Sequence, residues 1–338
     1  MSLNIAIIGA GRIGKVHGHN LAKMKDVRVV AVVDPVEEAA KQLAAVLGCD
    51  WVAKEHGEVV ASQKVDVVVV ASSTDTHALV TMDAARAGKA IFCEKPVDLD
   101  LAKVDAVLEA VRKHGVMLQV GFNRRFDPDF ARIREAVKSG AIGDPHLVRI
   151  ASRDPAPPPA KYSAVSGGMF KDMTIHDFDM ARYLVGKEVV EVTTAAACRI
   201  DPAIGEAGDV DTALVTLRFE DETLCCIDNS RQAVFGYDQR VEILGSRGMV
   251  GNENRYPNSV TISGADRIER GLPDNFFMDR YTVSFEREMV AFIDALTSGK
   301  TPTVTGDDGR AALVLAIAAH RSWKEGRPVT VKSIEQGV

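Results

Sequence analysis

The 338-residue chain has no excess of basic charge, no long apolar run and no cysteine framework, and each absence removes a class of function. Asp and Glu number 47 against 41 Lys and Arg, a formal charge of −6. A nucleic-acid surface needs clustered Lys and Arg to neutralise phosphates, so this balance speaks against one. A membrane-spanning helix needs roughly 18 or more consecutive apolar residues, and none occur together here; the amino-terminal segment reads as strand and turn rather than as a secretion signal. Cys49, Cys93, Cys198, Cys225 and Cys226 are scattered and odd in number. Their spacing suits neither a metal site nor a disulfide framework, so reduced thiols in a cytoplasmic protein without a metal are expected. What remains, 46% hydrophobic and 26% charged, is ordinary for a globular protein. The length suggests two domains, each able to bury a core.

The first half alternates between two periods. Asn4-Ile5-Ala6-Ile7-Ile8 is a buried-strand run leading into Gly9-Ala10-Gly11-Arg12-Ile13-Gly14, after which the periodicity is helical. A G-x-G-x-x-G turn between a strand and a helix suits a dinucleotide. Gly9 permits the turn, Gly11 lets a pyrophosphate approach the backbone, and Gly14 allows the helix to pack on the strand. The helix end then offers free N–H groups to phosphate. A second strand, Val27 to Val33, ends in Asp34, 20 positions beyond Gly14. A carboxylate there accepts hydrogen bonds from ribose hydroxyls and repels a 2′-phosphate, and Pro35-Val36-Glu37 supplies nothing to receive that phosphate. The reading is NAD rather than NADP.

Further runs at Val65–Ala71, Ala90–Cys93 and Met117–Phe122, with helical stretches between them, predict a doubly wound parallel sheet. In such a sheet the ligand lies beyond the carboxyl ends of the strands. The fingerprint turn, the Ser72-Ser73-Thr74-Asp75-Thr76-His77 turn, Glu94-Lys95-Pro96 and Asn123-Arg124-Arg125 all fall at such ends. Arg12, Ile13, Ser72, Thr74, His77, Glu94 and Lys95 therefore join the glycines and Asp34 as candidate cofactor residues. Beside a nicotinamide, the Lys95 ammonium would favour the alkoxide character that develops as hydride leaves a carbinol carbon.

After about residue 123 the pattern changes, giving domains expected at 1–122 and 123–338. A Pro-rich loop, Asp154-Pro155-Ala156-Pro157-Pro158-Pro159, precedes a predicted helix over 170–184, and strand-like runs follow at 189–198, 211–219, 223–229, 239–245 and 260–263. These predict an α+β domain whose open-faced, mostly antiparallel sheet carries helices on one side and needs cover on the other. Leu217 to Leu224 reads as a hairpin. Asp172 and His176, four apart, would share a helix face, where the carboxylate orients the imidazole and raises its basicity for general-base work.

Together, Gly9-Ala10-Gly11-Arg12-Ile13-Gly14, Glu94-Lys95-Pro96 and Gly167-Gly168 followed by Asp172 and His176 resemble the Gfo/Idh/MocA family of NAD(P)-dependent oxidoreductases, from residue 4 to about 330. Gly121-Phe122-Asn123-Arg124-Arg125-Phe126-Asp127, Ser152-Arg153-Asp154-Pro155 and Tyr237-Asp238-Gln239-Arg240 resemble its inositol-oxidising members. The resemblance implies a Rossmann domain, a sheet domain that often buries its open face in a homotetramer, and Lys95, Asp172 and His176 as the catalytic set. It implies oxidation of the axial hydroxyl of myo-inositol to 2-keto-myo-inositol, with no metal because Lys95 supplies the positive charge. Arg125, Asp154 and Tyr237, with Asp172 and His176, are candidates for substrate recognition. Arg125 could equally form a structural ion pair, and Tyr237 could sit in the core with its hydroxyl satisfied. The alternatives are a dehydrogenase of another inositol isomer or a pyranose sugar, or a catalytically idle NAD-binding regulator.

Overall fold

A computed structural model describes residues 2–337, apart from the side chains of Ala160, Lys161 and Ala164. Two compact units emerge: Met1–Asn123 with Val283–Leu313, and Arg124–Thr282 with Val314–Val338. A single cut at 122/123 would leave all later residues in one domain; the chain instead returns Val283–Leu313 to the first unit.

In the first unit, β1 (Leu3–Ile8), β2 (Val27–Val33), β3 (Trp51–Ala53), β4 (Val67–Val70), β5 (Ala90–Glu94) and β6 (Leu118–Gly121) form one parallel sheet. Its order is β3-β2-β1-β4-β5-β6, so the winding reverses between β1 and β4, where a nucleotide crevice opens. Helices α1 (Arg12–Ala22), α2 (Glu37–Leu47), α3 (Gly57–Ala61), α4 (Thr74–Arg86) and α5 (Leu101–His114) connect the strands. β4 is four valines, all fully buried. Such a run reads as apolar throughout because both faces of a parallel sheet are covered. The returning helix Thr282–Ser298 explains the two-part unit: its Met289, Phe292 and Ile293 join Ile5, Ile7, Val67, Val69 and Phe92 in one core. Burying each of these side chains contributes about 1.5–3 kcal/mol.

The second unit holds α6 (Pro128–Lys138), α7 (Ala160–Ser166) and α8 (Ile175–Val185) with a seven-stranded sheet. Its strands are β7 (Pro145–Arg153), β8 (Val189–Ala197), β9 (Thr212–Phe219), β10 (Leu224–Ser230), β11 (Asp238–Gly245), β12 (Gly248–Gly251) and Val329–Thr330, the last pairing with β8. The pairings are antiparallel except β7 with β10. In β7, Val148, Ile150 and Ser152 are buried while Arg149 is exposed, the two-residue alternation of a sheet covered on one face. The expected hairpin forms between β9 and β10, its turn closed by the Phe219 N–H donating to the Thr223 carbonyl and by Glu222 at φ +67°. The run at 260–263 does not join this sheet. Among the described residues Thr261–Ser263 pairs only with Ile268–Arg270, and every residue of that pair is exposed.

The helix predicted over 170–184 is also divided. Phe170–Thr174 is a π-helical turn, and the α-helix begins at Ile175.

Candidate active site

The nucleotide half is built by glycine. Gly9 has φ +108°, and a Cβ there would lie 2.4 Å from the Ala71 carbonyl oxygen at the end of β4. A Cβ on Gly14 would lie 1.9 Å from the Gly9 carbonyl oxygen, so only glycine lets α1 start this close to β1. Gly11 is different: a Cβ there would meet nothing within 4 Å. The open space lies over the start of α1, whose first turn has no acidic residue to compete with an anion. Free N–H groups, a positive dipole end and a clear approach fit a pyrophosphate. Asp34 closes the turn, accepting the N–H of Ala10 on one oxygen and that of Val36 on the other, each at 2.8 Å. A carboxylate has about four lone-pair positions, so two remain for ribose hydroxyls. Arg12 is exposed and Ile13 half-buried at the head of the helix.

The next rim residues serve the loops. Ser72 Oγ lies 2.6 Å from Thr76 Oγ1, and Thr74 opens α4. His77 is buried, its Nδ1 2.8 Å from the Pro96 carbonyl oxygen and its Nε2 3.1 Å from that of Ser72. It therefore ties the Ser72 turn to the Glu94-Lys95-Pro96 loop, whose Lys95–Pro96 peptide is cis. Lys95 is half-buried. Glu94 has a partner that the sequence did not announce: Nε2 of His17, fully buried on α1, lies 2.6 Å from its Oε1. Glu288 brings a second carboxylate to within 4.8 Å of this pair. A histidine on the buried face of α1 is the only trace of this in the sequence. Burial pushes the neighbouring Cys93 thiol up to about 12, which removes it as a nucleophile at neutral pH.

The other half lies in the second unit. Asp172, in the π-helical turn, is held from two sides. Tyr162 OH donates to its Oδ1 at 3.0 Å, and Arg231 Nη2 donates to its Oδ2 at 3.2 Å. Arg231 also reaches Oδ2 of Asp154 through Nη1 at 3.3 Å. Burial pushes the Asp154 carboxyl above its ordinary range, against the pull of Arg231. Burial likewise raises the Tyr162 hydroxyl, which stays protonated and donating. His176 is half-buried in the first turn of α8, its Nδ1 turned inward.

Beneath α8 runs a buried polar network. Arg124 Nη1 donates to Asp177 Oδ1 at 2.5 Å and Nη2 to Ser152 Oγ at 3.3 Å. Asn229 Nδ2 donates to Asp177 Oδ2 at 2.8 Å, and Thr174 Oγ1 donates to Asn229 Oδ1 at 2.7 Å. Such a network fixes a helix against a sheet because each group would be costly to bury alone. Arg125 is buried against Asp179, with Nε at 2.9 Å and Nη2 at 2.6 Å, and its guanidinium lies over Tyr183. Tyr237 is buried edge-on to Tyr281, and burial drives its hydroxyl well above the ordinary phenol range. Tyr162, Asp177 and Arg231 carry no spacing that sequence reasoning could have used.

Fold, glycine turn and acid-bearing sheet unit define an oxidoreductase with an NAD-binding Rossmann domain. Residues 3–122 match the family described as oxidoreductase family, NAD-binding Rossmann fold, and residues 130–251 match the GFO/IDH/MocA C-terminal domain. The chain belongs to the Gfo/Idh/MocA family. It is 46% identical to a myo-inositol 2-dehydrogenase of Thermotoga maritima over 98% of this chain and 99% of that one. It is 47% identical to an inositol 2-dehydrogenase of Rhizobium meliloti over 98% of this chain and all of that one. Among solved structures, a myo-inositol dehydrogenase of Corynebacterium glutamicum superposes with TM-score 0.94 at 40% identity, covering 98% of this chain and 99% of that one. A Lactobacillus casei scyllo-inositol dehydrogenase with bound NAD(H) and scyllo-inositol gives 0.92 at 30%, covering 98% and 100%.

Proposed function

We propose that this protein oxidises the axial hydroxyl of myo-inositol to the 2-keto product, with NAD as electron acceptor. The observation that carries the reading is the 46–47% identity, over nearly the whole chain, to two inositol 2-dehydrogenases. The bound dinucleotide supplies the hydride acceptor, and the Gly9–Gly14 turn and Asp34 hold it. His176 takes the hydroxyl proton. The Lys95 ammonium stabilises charge developing on the same oxygen, and Asp172 orients the imidazole and accepts a hydrogen bond from a neighbouring hydroxyl. Asp154 accepts from another hydroxyl, with Arg125 and Tyr237 as further recognition residues. The cation that a metal would provide elsewhere is here Lys95.

A second reading, scyllo-inositol as the preferred isomer, is favoured by the Lactobacillus casei relative. Mixing the protein with NAD and a panel of inositols, pyranoses and linear polyols, and following reduced cofactor by absorbance, decides between them. No turnover of any cyclic polyol would end both readings. Replacing a general base costs about 10²–10⁴-fold; His176→Ala should lose kcat on that scale while NADH titrates with wild-type affinity. Unchanged turnover would remove His176 from the role.

The reading includes a reducing, cytoplasmic setting, to which five free thiols are suited, and self-association as a tetramer. On β9, β10 and β11 the sheet leaves Leu214, Leu224 and Leu244 about half exposed, an apolar surface that a second copy would cover. A monomeric mass in sedimentation would refute the tetramer.

A further inference from the structure

Two histidines of the first unit are buried, and no step of the proposed chemistry uses them. His17 on α1 is fully covered and His77 on α4 is 2% exposed. A buried imidazole needs a hydrogen-bond partner, and both rings find one in the Glu94-Lys95-Pro96 loop. His17 Nε2 lies 2.6 Å from Oε1 of Glu94. Its ring stands edge-on to Phe92 on β5 and to Phe285, with centroids 4.9 and 6.0 Å away. The Glu94 carboxylate is seated against Gly121, its neighbour on β6, where a Cβ would lie 3.0 Å from it. His77 Nδ1 lies 2.8 Å from the Pro96 carbonyl oxygen, and its Nε2 lies 3.1 Å from that of Ser72. A carbonyl oxygen only accepts, so each contact holds when that nitrogen carries the hydrogen. Glu94 and Pro96 are the residues on either side of Lys95.

We propose that His17 and His77 are positioning residues that set the Lys95 ammonium by holding the residues on both sides of it. His17 reaches Glu94 from the helix that opens at the glycine turn. His77 reaches Pro96 from the helix that opens beside Ser72. The lysine is thereby placed relative to the two turns read as the dinucleotide site. A lysine head rides on a flexible four-carbon stem, so fixing the backbone at its root is the first requirement for aiming it. This inference rests on the reading of Lys95 as the cation that meets the developing alkoxide, and adds what keeps that cation in register with the cofactor.

Side-chain geometry separates the contacts. A glutamine amide nitrogen stands as many bonds from the backbone as histidine Nε2, and an asparagine amide nitrogen as many as Nδ1. His17→Gln therefore keeps a donor for Glu94, and His17→Met, of the same length, removes it. Glu288, within 4.8 Å of the pair, is retained in every variant. His77→Asn keeps the donor to Pro96, and His77→Gln keeps the donor to Ser72. His17→Met and His77→Gln should lower kcat about 10²-fold, the scale of a displacement of about an ångström near the chemistry. Their polyol KM and their NADH affinity, read by fluorescence titration, should stay at wild type. His17→Gln and His77→Asn should bring kcat back to within about tenfold of wild type. His77→Asn, which releases the Ser72 turn, should bind NADH about three- to tenfold more weakly. Amide exchange over residues 90–99, followed by mass spectrometry without substrate, should quicken about five- to tenfold in His17→Met and His77→Gln alone. If both variants at either position lose kcat and gain exchange alike, or neither changes, the ring is packing and the inference fails; failure of both to fold is the same result. If the exchange pattern holds yet the wild type oxidises no cyclic polyol, the frame around Lys95 stands and the functional reading fails instead.

Discussion

Deleting the Asp177 carboxylate is the sharpest test of the polar network under α8. Asp177 is fully buried and Arg124 is 4% exposed, so neither can turn to water. Asp177→Ala strands a guanidinium in the interior. Breaking a buried pair from one side costs about 3–5 kcal/mol, and the Asn229 amide, which loses an acceptor at 2.8 Å, adds up to about 1–3 kcal/mol. The expected loss is thus about 4–8 kcal/mol, a large fraction of the roughly 5–15 kcal/mol that holds a domain folded. Arg124→Met combined with Asp177→Leu removes both charges and refills the space, and such exchanges are often neutral or better. The double variant should therefore be far more stable than the sum of its single changes predicts. Urea unfolding followed by circular dichroism, with all three variants and the wild type in one cycle, measures this. A single variant within about 1 kcal/mol of wild type, or a double variant as damaged as the sum, would refute the claim that the network works as a unit.

The glycine turn makes two opposite predictions. Gly11→Ala should fold normally, since its Cβ meets nothing within 4 Å, yet bind NADH at least about tenfold more weakly because it fills the approach to the pyrophosphate; Gly14→Ala, with a Cβ 1.9 Å from a carbonyl oxygen, should lower the melting temperature as well. Wild-type NADH affinity in Gly11→Ala, read by fluorescence, would displace the phosphate from this turn. Asp211 predicts a pH effect: burial alone would raise its carboxyl, but the N–H groups of Arg199, Asp201 and Ile200, at 2.7, 3.0 and 2.8 Å, hold it below the ordinary range. Its contribution is complete above the unfolded carboxylate value of about 3.9 and fades as pH falls through the lower folded value. The stability difference between wild type and Asp211→Asn should therefore be constant from neutral pH to about pH 5 and shrink below about pH 4; a difference that grows on acidification would reverse the sign of the argument.

The parallel sheet was legible because buried strands of valine and isoleucine, punctuated by glycine and polar turns, leave a strong period. Gly9, Gly11 and Gly14 were legible for the same kind of reason: each answers a separate steric demand. Trp51–Ala53 and Gly248–Gly251 were missed, since three or four residues cannot establish an alternation. The strand-like composition of 260–263 predicts a place in the large sheet, yet with no buried face the run pairs locally with Ile268–Arg270. The return of Val283–Leu313 to the first unit is a matter of long-range packing that a helical period does not reveal. At the site, the sequence could supply acids and a base, but the arginines and the tyrosine that orient them arrive from distant segments.

Asp172 and Asp177 show why those partners matter more than spacing. The two acids are five positions apart on one segment, which in a regular α-helix separates their directions by roughly 140°. One therefore faces the sheet, where Arg124 and Asn229 take up its oxygens. The other is half-buried, with Arg231 and Tyr162 among its partners. The π-helical turn over Phe170–Thr174 ends where the α-helix begins, between the two acids, and such turns are often found at functional sites. The same residue type thus anchors the helix from full burial at one position and stays partly exposed at the other. Only the surroundings decide which: an aspartate fully buried between a guanidinium and an amide is structure, and one that an arginine and a tyrosine hold at a half-buried position can still meet a ligand.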